Sequence, residues 1–301
     1  LIHLFLLTVA DVTAVGPNTW TDWKGHLFTQ LYYAVDGCLR TGQVTPADQK
    51  QRLESRRKSV LKMSAREERD EVTSALAVIS NTCTLHFPPT VLLDLCRLLV
   101  RESGAYLSVN ESLGHTQIIL WGPDRPKLFA HVTAALAGAN TKAVAAHAYA
   151  LRHGRILDEF HITDSRDNAV SEPGQLERLR QRLLDVLAGK EPAAIKRQVQ
   201  PDILMQGLPV EVRHLEAAAK SITAIEVVAA NRKGLLADMA GAIAETNFDL
   251  RGANIATFGE KAVDVFFVTD DAGRQLTSSQ TDVLVQCLQV AAELENHAQA
   301  S

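Results

Sequence analysis

Two short stretches carry residue types suited to holding a small charged ligand. Asp124-Arg125-Pro126-Lys127-Leu128 and Asn231-Arg232-Lys233-Gly234-Leu235 each lie between a strand-like and a helix-like segment. At such a turn the first backbone N–H groups of the helix have no partner within it, and the positive end of the helix dipole adds to their pull. A carboxylate is the natural guest. The same residue types also suit a tight strand-to-helix turn for structural reasons alone, and one loop does not separate the two readings. Two copies in matching surroundings weigh toward a shared role.

Other chemistry finds little support. None of the ten histidines makes the close i, i+4 pairing of a helical metal site. His131, His147 and His161 are expected at surfaces or interfaces. Cys38, Cys83, Cys96 and Cys287 are far apart and form no C-x-x-C pair, which fits free thiols in a reducing cytoplasm. There is no G-x-S-x-G, P-loop or G-x-G-x-x-G stretch.

The elements that must position the two loops form an internal repeat with an offset of about 107 residues. In the first copy Gln117 to Trp121 is strand-like, Leu128 to Ala139 helical, and Val144 to Leu151 and Ile156 to Thr163 flank a turn; a helix from Gly174 to Leu187 follows. The second copy repeats the order as Ala224 to Ala229, Leu235 to Thr246, Ile255 to Phe258, Val263 to Thr269 and Ser278 to Glu295. Both hairpins close alike, on Ile162-Thr163-Asp164 and Val268-Thr269-Asp270. Each copy is one strand short of a ferredoxin-like unit. Strand-like segments precede both, and the expectation is an exchange, with Val210 to Leu215 completing the first sheet and Ala105 to Val109 the second. The linker Gly189 to Pro209 holds three prolines and is expected to be extended.

The N-terminal third is helical by periodicity. Trp20, Trp23, Leu27, Leu31 and Val35 mark one buried face between Thr19 and Leu39. Thr45 and Pro46 announce a helix running with interruptions to about Ser80, and Thr90 to Arg101 is a short amphipathic helix. The mixed charges of Arg66 to Glu71 and the basic run Arg52 to Lys58 predict solvated helix faces. The apolar opening Leu1 to Ala10 lacks the basic start of a signal peptide and is too short to span a membrane. It begins with Leu and without a cap, which suggests a chain truncated inside a helix.

At 301 residues there is room for two or three domains. A formal net charge of −4 excludes a strong pull toward nucleic acid or anionic lipid, so a small metabolite or a protein is the expected partner.

Gly122-Pro123-Asp124-Arg125-Pro126-Lys127-Leu128-Phe129 resembles the ACT domain, an amino-acid-sensing module whose D-R-P-G-L turn precedes its first helix. Leu7-Thr8-Val9-Ala10-Asp11-Val12, then Ala14-Val15-Gly16-Pro17 and Trp20-Thr21-Asp22-Trp23-Lys24, resemble the family of bifunctional PII uridylyltransferase/uridylyl-removing enzymes. So does Ala253 to Phe266. The resemblance implies an α+β fold of tandem ferredoxin-like ACT domains (βαββαβ) preceded by an α-helical remnant of an HD domain and a helical connector. Its implied domains are residues 1–42 (end of the HD domain), 43–104 (connector), 105–200 (first ACT) and 201–301 (second ACT).

By the same resemblance the parent enzyme moves UMP from UTP to a tyrosine of PII and removes it by phosphodiester hydrolysis, the direction set by glutamine bound at the ACT modules. A divalent metal, Mg or Mn, would serve the HD domain, with Asp11 as its last ligand; the other ligands and the nucleotidyltransferase domain are not in this sequence, so the fragment is expected to be catalytically incomplete. The sequence departs from the family in placing Lys127 where Gly is usual, Asn231 and Lys233 for Asp and Pro, and Lys142 and Ala145 for Asn and Asp. The second module, which keeps Gly234, is expected to hold the better glutamine site. Two alternatives stand beside this: a stand-alone, non-catalytic ACT regulator, and a tandem scaffold for oligomerisation.

Overall fold

The computed structural model describes residues 1–14, 28, 31–32, 35, 46–111, 114–192, 209–215, 222–258 and 261–293. It divides into two compact units, Leu1–Arg97 with Glu111–Leu113, and Leu98–Asn110 with Gly114–Ser301.

The first unit is helical: α1 (Ile2–Ala14), α2 (Pro46–Met63), α3 (Arg69–Val78), α4 (Asn81–His86) and α5 (Pro89–Leu99), whose last two residues fall in the second unit. Val60, Val72, Leu76, Ile79, Cys83, Leu92, Leu95 and Cys96 are buried, and burial pushes the Cys96 thiol up to about 12, so it stays protonated. The helix expected from Pro46 to Ser80 breaks at 64–68. There the Glu68 carboxylate accepts from the Ala65 N–H and pairs with Arg97 at 3.0 Å, so part of the charged stretch Arg66 to Glu71 is a turn. Ser80 then caps α4 by accepting from the Cys83 N–H, a helix the periodicity did not reveal. Within the basic run, Arg56 donates to the Phe87 carbonyl and Arg57 to Asn81. The helix expected from Thr19 to Leu39 lies mostly outside the described residues.

The second unit is built on one antiparallel sheet of eight strands. In chain order it runs β1 (Gly104–Asn110), β2 (His115–Pro123), α6 (Leu128–Gly138), β3 (Lys142–Leu151), β4 (Arg155–Thr163), α7 (Pro173–Leu187), β5 (Glu211–Leu215), β6 (Thr223–Ala230), α8 (Leu235–Glu245), β7 (Asp249–Phe258), β8 (Lys261–Thr269) and α9 (Ser278–Glu293). The strand order β1-β2-β4-β3-β7-β8-β6-β5 sets two four-stranded halves edge to edge. They join where β3 pairs with β7, from Ala145↔Ala256 to Tyr149↔Gly252. Gly252 is needed at this seam, because a Cβ there would lie 3.0 Å from the Ala148 carbonyl oxygen.

The expected strand exchange does not occur. β1 pairs with β2 and β5 with β6, so each leading strand completes the sheet of its own repeat. A short connection makes the local partner the cheaper one to close. The two repeats are instead bound by the β3–β7 seam and by α6 packing on α8.

Alternation along the strands puts Ile118, Leu120, Phe160, Ile162, Ala146, Ile255, Phe266, Val268, Ile225 and Val227 on one face, beneath the four helices. They form one apolar core across both repeats. The helices have clear local causes. In α7, Pro173 opens the first turn, the Glu172 carboxylate caps the N–H groups of Gly174 and Gln175, and Leu179, Leu183 and Val186 return at helical spacing to the core. The shared hairpin ending is a loop device: Asp164 accepts from the N–H groups of Arg166 and Asn168, and Asp270 from that of Arg274. Among the described residues no helix is long and apolar enough to cross a membrane.

Candidate functional site between the repeats

Both strand-to-helix loops form the same turn. The residue before each helix is in the left-handed region, Lys127 at φ 64° and Gly234 at φ 83°. Neither makes a side-chain cap; the Leu128 and Leu235 N–H groups donate to the Arg125 and Arg232 carbonyls (3.1 and 3.2 Å), and the amides that follow have no side-chain cap. A left-handed turn suits glycine and strains lysine by about 1–2 kcal/mol. Lys127→Gly is therefore expected to raise the unfolding free energy by about 0.5–1 kcal/mol, part of the relief being offset by glycine's freedom in the unfolded chain. A urea midpoint unchanged or lowered would count against this.

The two arginine guanidinia are engaged by the ends of the last helices of their repeats. Arg125 donates to the carbonyls of Val186 (2.6 Å) and Leu187 at the end of α7. Arg232 does the same at Ala291 near the end of α9 (2.9 Å), and pairs with Asp238 at 2.6 Å. A guanidinium on the last carbonyls of a helix is a structural cap. The two lysines span the repeats: Lys127 Nζ bonds Glu245 at the end of α8 (2.9 Å), and Lys233 Nζ bonds Asn140, just past α6 (2.6 Å). Each repeat thus holds the far end of the other's first helix.

At the second loop there is a cavity. Asn231, Arg232, Lys233, Gly234, Leu235, Leu236 and Ala237 line one side, Thr133, Leu136, Thr141, Lys142 and Ala143 of the first repeat the other, and Ile255, Thr257, Ala262 and Asp264 its floor. Its water-sized space is about 30 Å³, enough for one or two waters. A larger guest requires the loop to move, and the Lys233–Asn140 bond is the tie that must yield.

Asp264 is the residue that sequence inspection passed over. It is 1% exposed, faces the core side of β8 between Val227 and Ile255, and its Oδ1 has no hydrogen-bond partner among the described residues. Burial pushes its carboxyl up to about 7, opposed by the Ala256 N–H. Asp158 holds the matching place in the first repeat, 3% exposed between Leu120 and Ala148. There burial, and after it the Asp124 carboxylate, push the carboxyl up to about 8, against the Tyr149 N–H. A signal was available: an Asp at the inward parity of a strand, at the same offset in both copies.

The surroundings of the two loops differ in sign. Around Asp124 are Asp158, Asp249 and Arg251; desolvation and then Asp249 hold the Asp124 carboxyl above its ordinary value. Around Asn231 are Lys233 and Lys142, the latter paired with Asp167 at 2.9 Å. Asp249 is itself paired with Arg251 at 2.9 Å, so the excess of carboxylate at the first loop is modest, while Lys142 and Lys233 give the second the more cationic rim.

The other candidates lie apart. His147 bonds Asn254 at the seam (3.0 Å), and His161 links His115 (2.7 Å) to Glu159 (3.1 Å) on the sheet face away from the core helices; His131 is half-buried on α6. Asp11 is exposed on α1, and among the described residues no three metal-ligating side chains gather around it. The described residues alone do not make a metal site there. Among the described residues no disulfide joins Cys83, Cys96 or Cys287, and Cys38 lies outside them.

Residues 223–280 match the ACT domain family. Over 95% of its length the chain is 29% identical to the bifunctional uridylyltransferase/uridylyl-removing enzyme of Pseudomonas putida, and over 92% it is 29% identical to that of Vibrio campbellii. It spans about a third of those relatives, 34% and 33% of their lengths. A looser likeness, TM-score 0.34 and 18% identity over 58% of this chain and 26% of the other, links it to the crystal structure of aspartate kinase from Synechocystis. The chain carries an ACT domain in its second repeat and is similar, along nearly its whole length, to the C-terminal part of bifunctional uridylyltransferase/uridylyl-removing enzymes.

Proposed function

We propose that this chain is the regulatory C-terminal portion of an enzyme that attaches uridylyl groups to PII and removes them, and that it binds free glutamine at the mouth of α8. The observation that carries the reading is the cavity at the second loop, where uncapped first-turn amides meet Lys142 and Lys233 across the seam between repeats. Leu236 and Ala237 offer N–H groups to the ligand carboxylate, with the helix dipole behind them. Gly234 lets the backbone turn without strain.

Because the pocket is walled by both repeats, a bound amino acid favours one arrangement of them over another. A coupling of about 1–3 kcal/mol is enough to switch a distant activity. The catalytic domains of the parent, with UTP and a divalent metal, lie outside this reading of the pocket. The rival reading, a pure scaffold, draws on the lysine bridges, which tie the repeats with no ligand at all.

Thermal unfolding of the chain with and without L-glutamine separates the two. At a hundredfold excess over its Kd, a ligand specific to the folded state adds about 2.7 kcal/mol and raises Tm by several degrees. The same rise with L-alanine, or none with glutamine up to tens of millimolar, leaves the scaffold.

A further inference from the structure

We infer that Asp264 is the group that receives the α-ammonium of the amino acid, which makes it the residue that selects α-amino acids over other carboxylates. The inference rests on the amino-acid reading above and adds a second pole to the site. A carboxylate buried to 1% exposure with one oxygen unpartnered is costly unless something completes it. The cavity it floors has room for a water-sized partner as it stands, and for an ammonium on a larger guest once the loop moves.

The charged groups lining the same cavity are otherwise engaged. Lys142 is held by Asp167, Lys233 by Asn140, and Arg232 by Asp238 and the Ala291 carbonyl. None bonds the Asp264 Oδ1. An ammonium presents three N–H donors on one centre, and an α-amino acid carries it beside the carboxylate that the α8 mouth attracts. A zwitterion thus meets opposite poles at the two ends of one pocket. Asp158 is the less suited of the two: the Asp124 carboxylate beside it works against a ligand carboxylate in the same place.

Proton linkage follows. Asp264 is largely protonated at pH 6 in the empty chain, and an arriving ammonium favours its charged form, so binding releases a proton.

The test compares L-glutamine with glutaramate, which is glutamine without its α-amino group, by isothermal titration on the whole chain. The wild type is expected to prefer glutamine by at least about 30-fold, and Asp264→Asn to reduce that preference below about 3-fold while leaving glutaramate affinity unchanged. Asn has the same size and keeps an acceptor for the Ala256 N–H. Asp158→Asn is expected to preserve the preference. As a readout needing no variant, titrations at pH 6 in buffers of different ionisation heat should show proton release with glutamine and none with glutaramate. An undiminished preference in Asp264→Asn, or no proton release, overturns the assignment of Asp264 alone. Failure of the wild type to bind either compound overturns the amino-acid reading and this assignment with it.

Discussion

Asp158→Asn is expected to raise the unfolding free energy by on the order of 5 kcal/mol at pH 9 and by almost nothing at pH 3. Burial lifts the Asp158 carboxyl from 3.8 to about 8. Below pH 4 the group is protonated in the folded and unfolded chains alike and exerts no pull. As pH rises from there the unfolded chain gives up the proton while the folded chain keeps it, and stability falls by about 1.4 kcal/mol per pH unit. The loss is complete once pH passes about 8. Asn carries no charge to bury and removes this contribution to the slope. Urea unfolding at pH 3, 6 and 9 checks this; parallel pH profiles for the two proteins would contradict it. Asp264, raised to about 7, gives the wild type a second slope of the same sign that ends about one pH unit earlier.

Phe160→Ala has the next largest effect, a loss of about 3–5 kcal/mol. The ring is fully buried on β4 beneath α6, stacked on Phe129 with centroids 5.7 Å apart. Truncation removes its burial, opens a cavity and forfeits the aromatic pair, which is itself about 0.5–1.5 kcal/mol. Phe266, at the matching position in the second repeat, lies in the same continuous core. Because the two repeats share that core and one sheet, Phe160→Ala is expected to shift a single transition for both. Calorimetry that resolved a destabilised first repeat melting apart from an unchanged second one would refute the shared core.

Much of this architecture was legible in the residues. Period-two and period-3.6 spacing located β2 to β4, β6 to β8 and α6 to α9, and the 107-residue offset showed that they came in pairs. What stayed hidden was set by contacts far apart in sequence. The partners of β1 and β5 depended on which loop closes more cheaply. The β3–β7 seam uses two strand edges that look no different from others, and only Gly252 marks it. Arg125 and Arg232 sit in the loops as if facing a ligand, yet the carbonyls they bind are about 60 residues downstream. Asp264 was in plain view as a polar residue in an apolar strand; its parity with Phe266 and Val268 places it in the core, and only the fold brings a cavity to it.

The sign difference between the two loops was also partly legible. Lys142 and Asp249 open corresponding strands, as do Asp124 and Asn231 their loops, but no spacing rule says that each strand start faces the other repeat's loop. That crossing puts Asp249 beside the first loop and Lys142 beside the second, and it gives the second repeat the better claim to a carboxylate.

The central claim is that the amides opening α8 hold the ligand's carboxylate. Amide chemical shifts of the ¹⁵N-labelled chain during titration with L-glutamine test it residue by residue. Saturable shifts centred on Leu235, Leu236 and Ala237, with Leu128 to Ala130 little changed, are the expected result. Shifts centred on the α6 mouth, or on neither helix mouth, would contradict it.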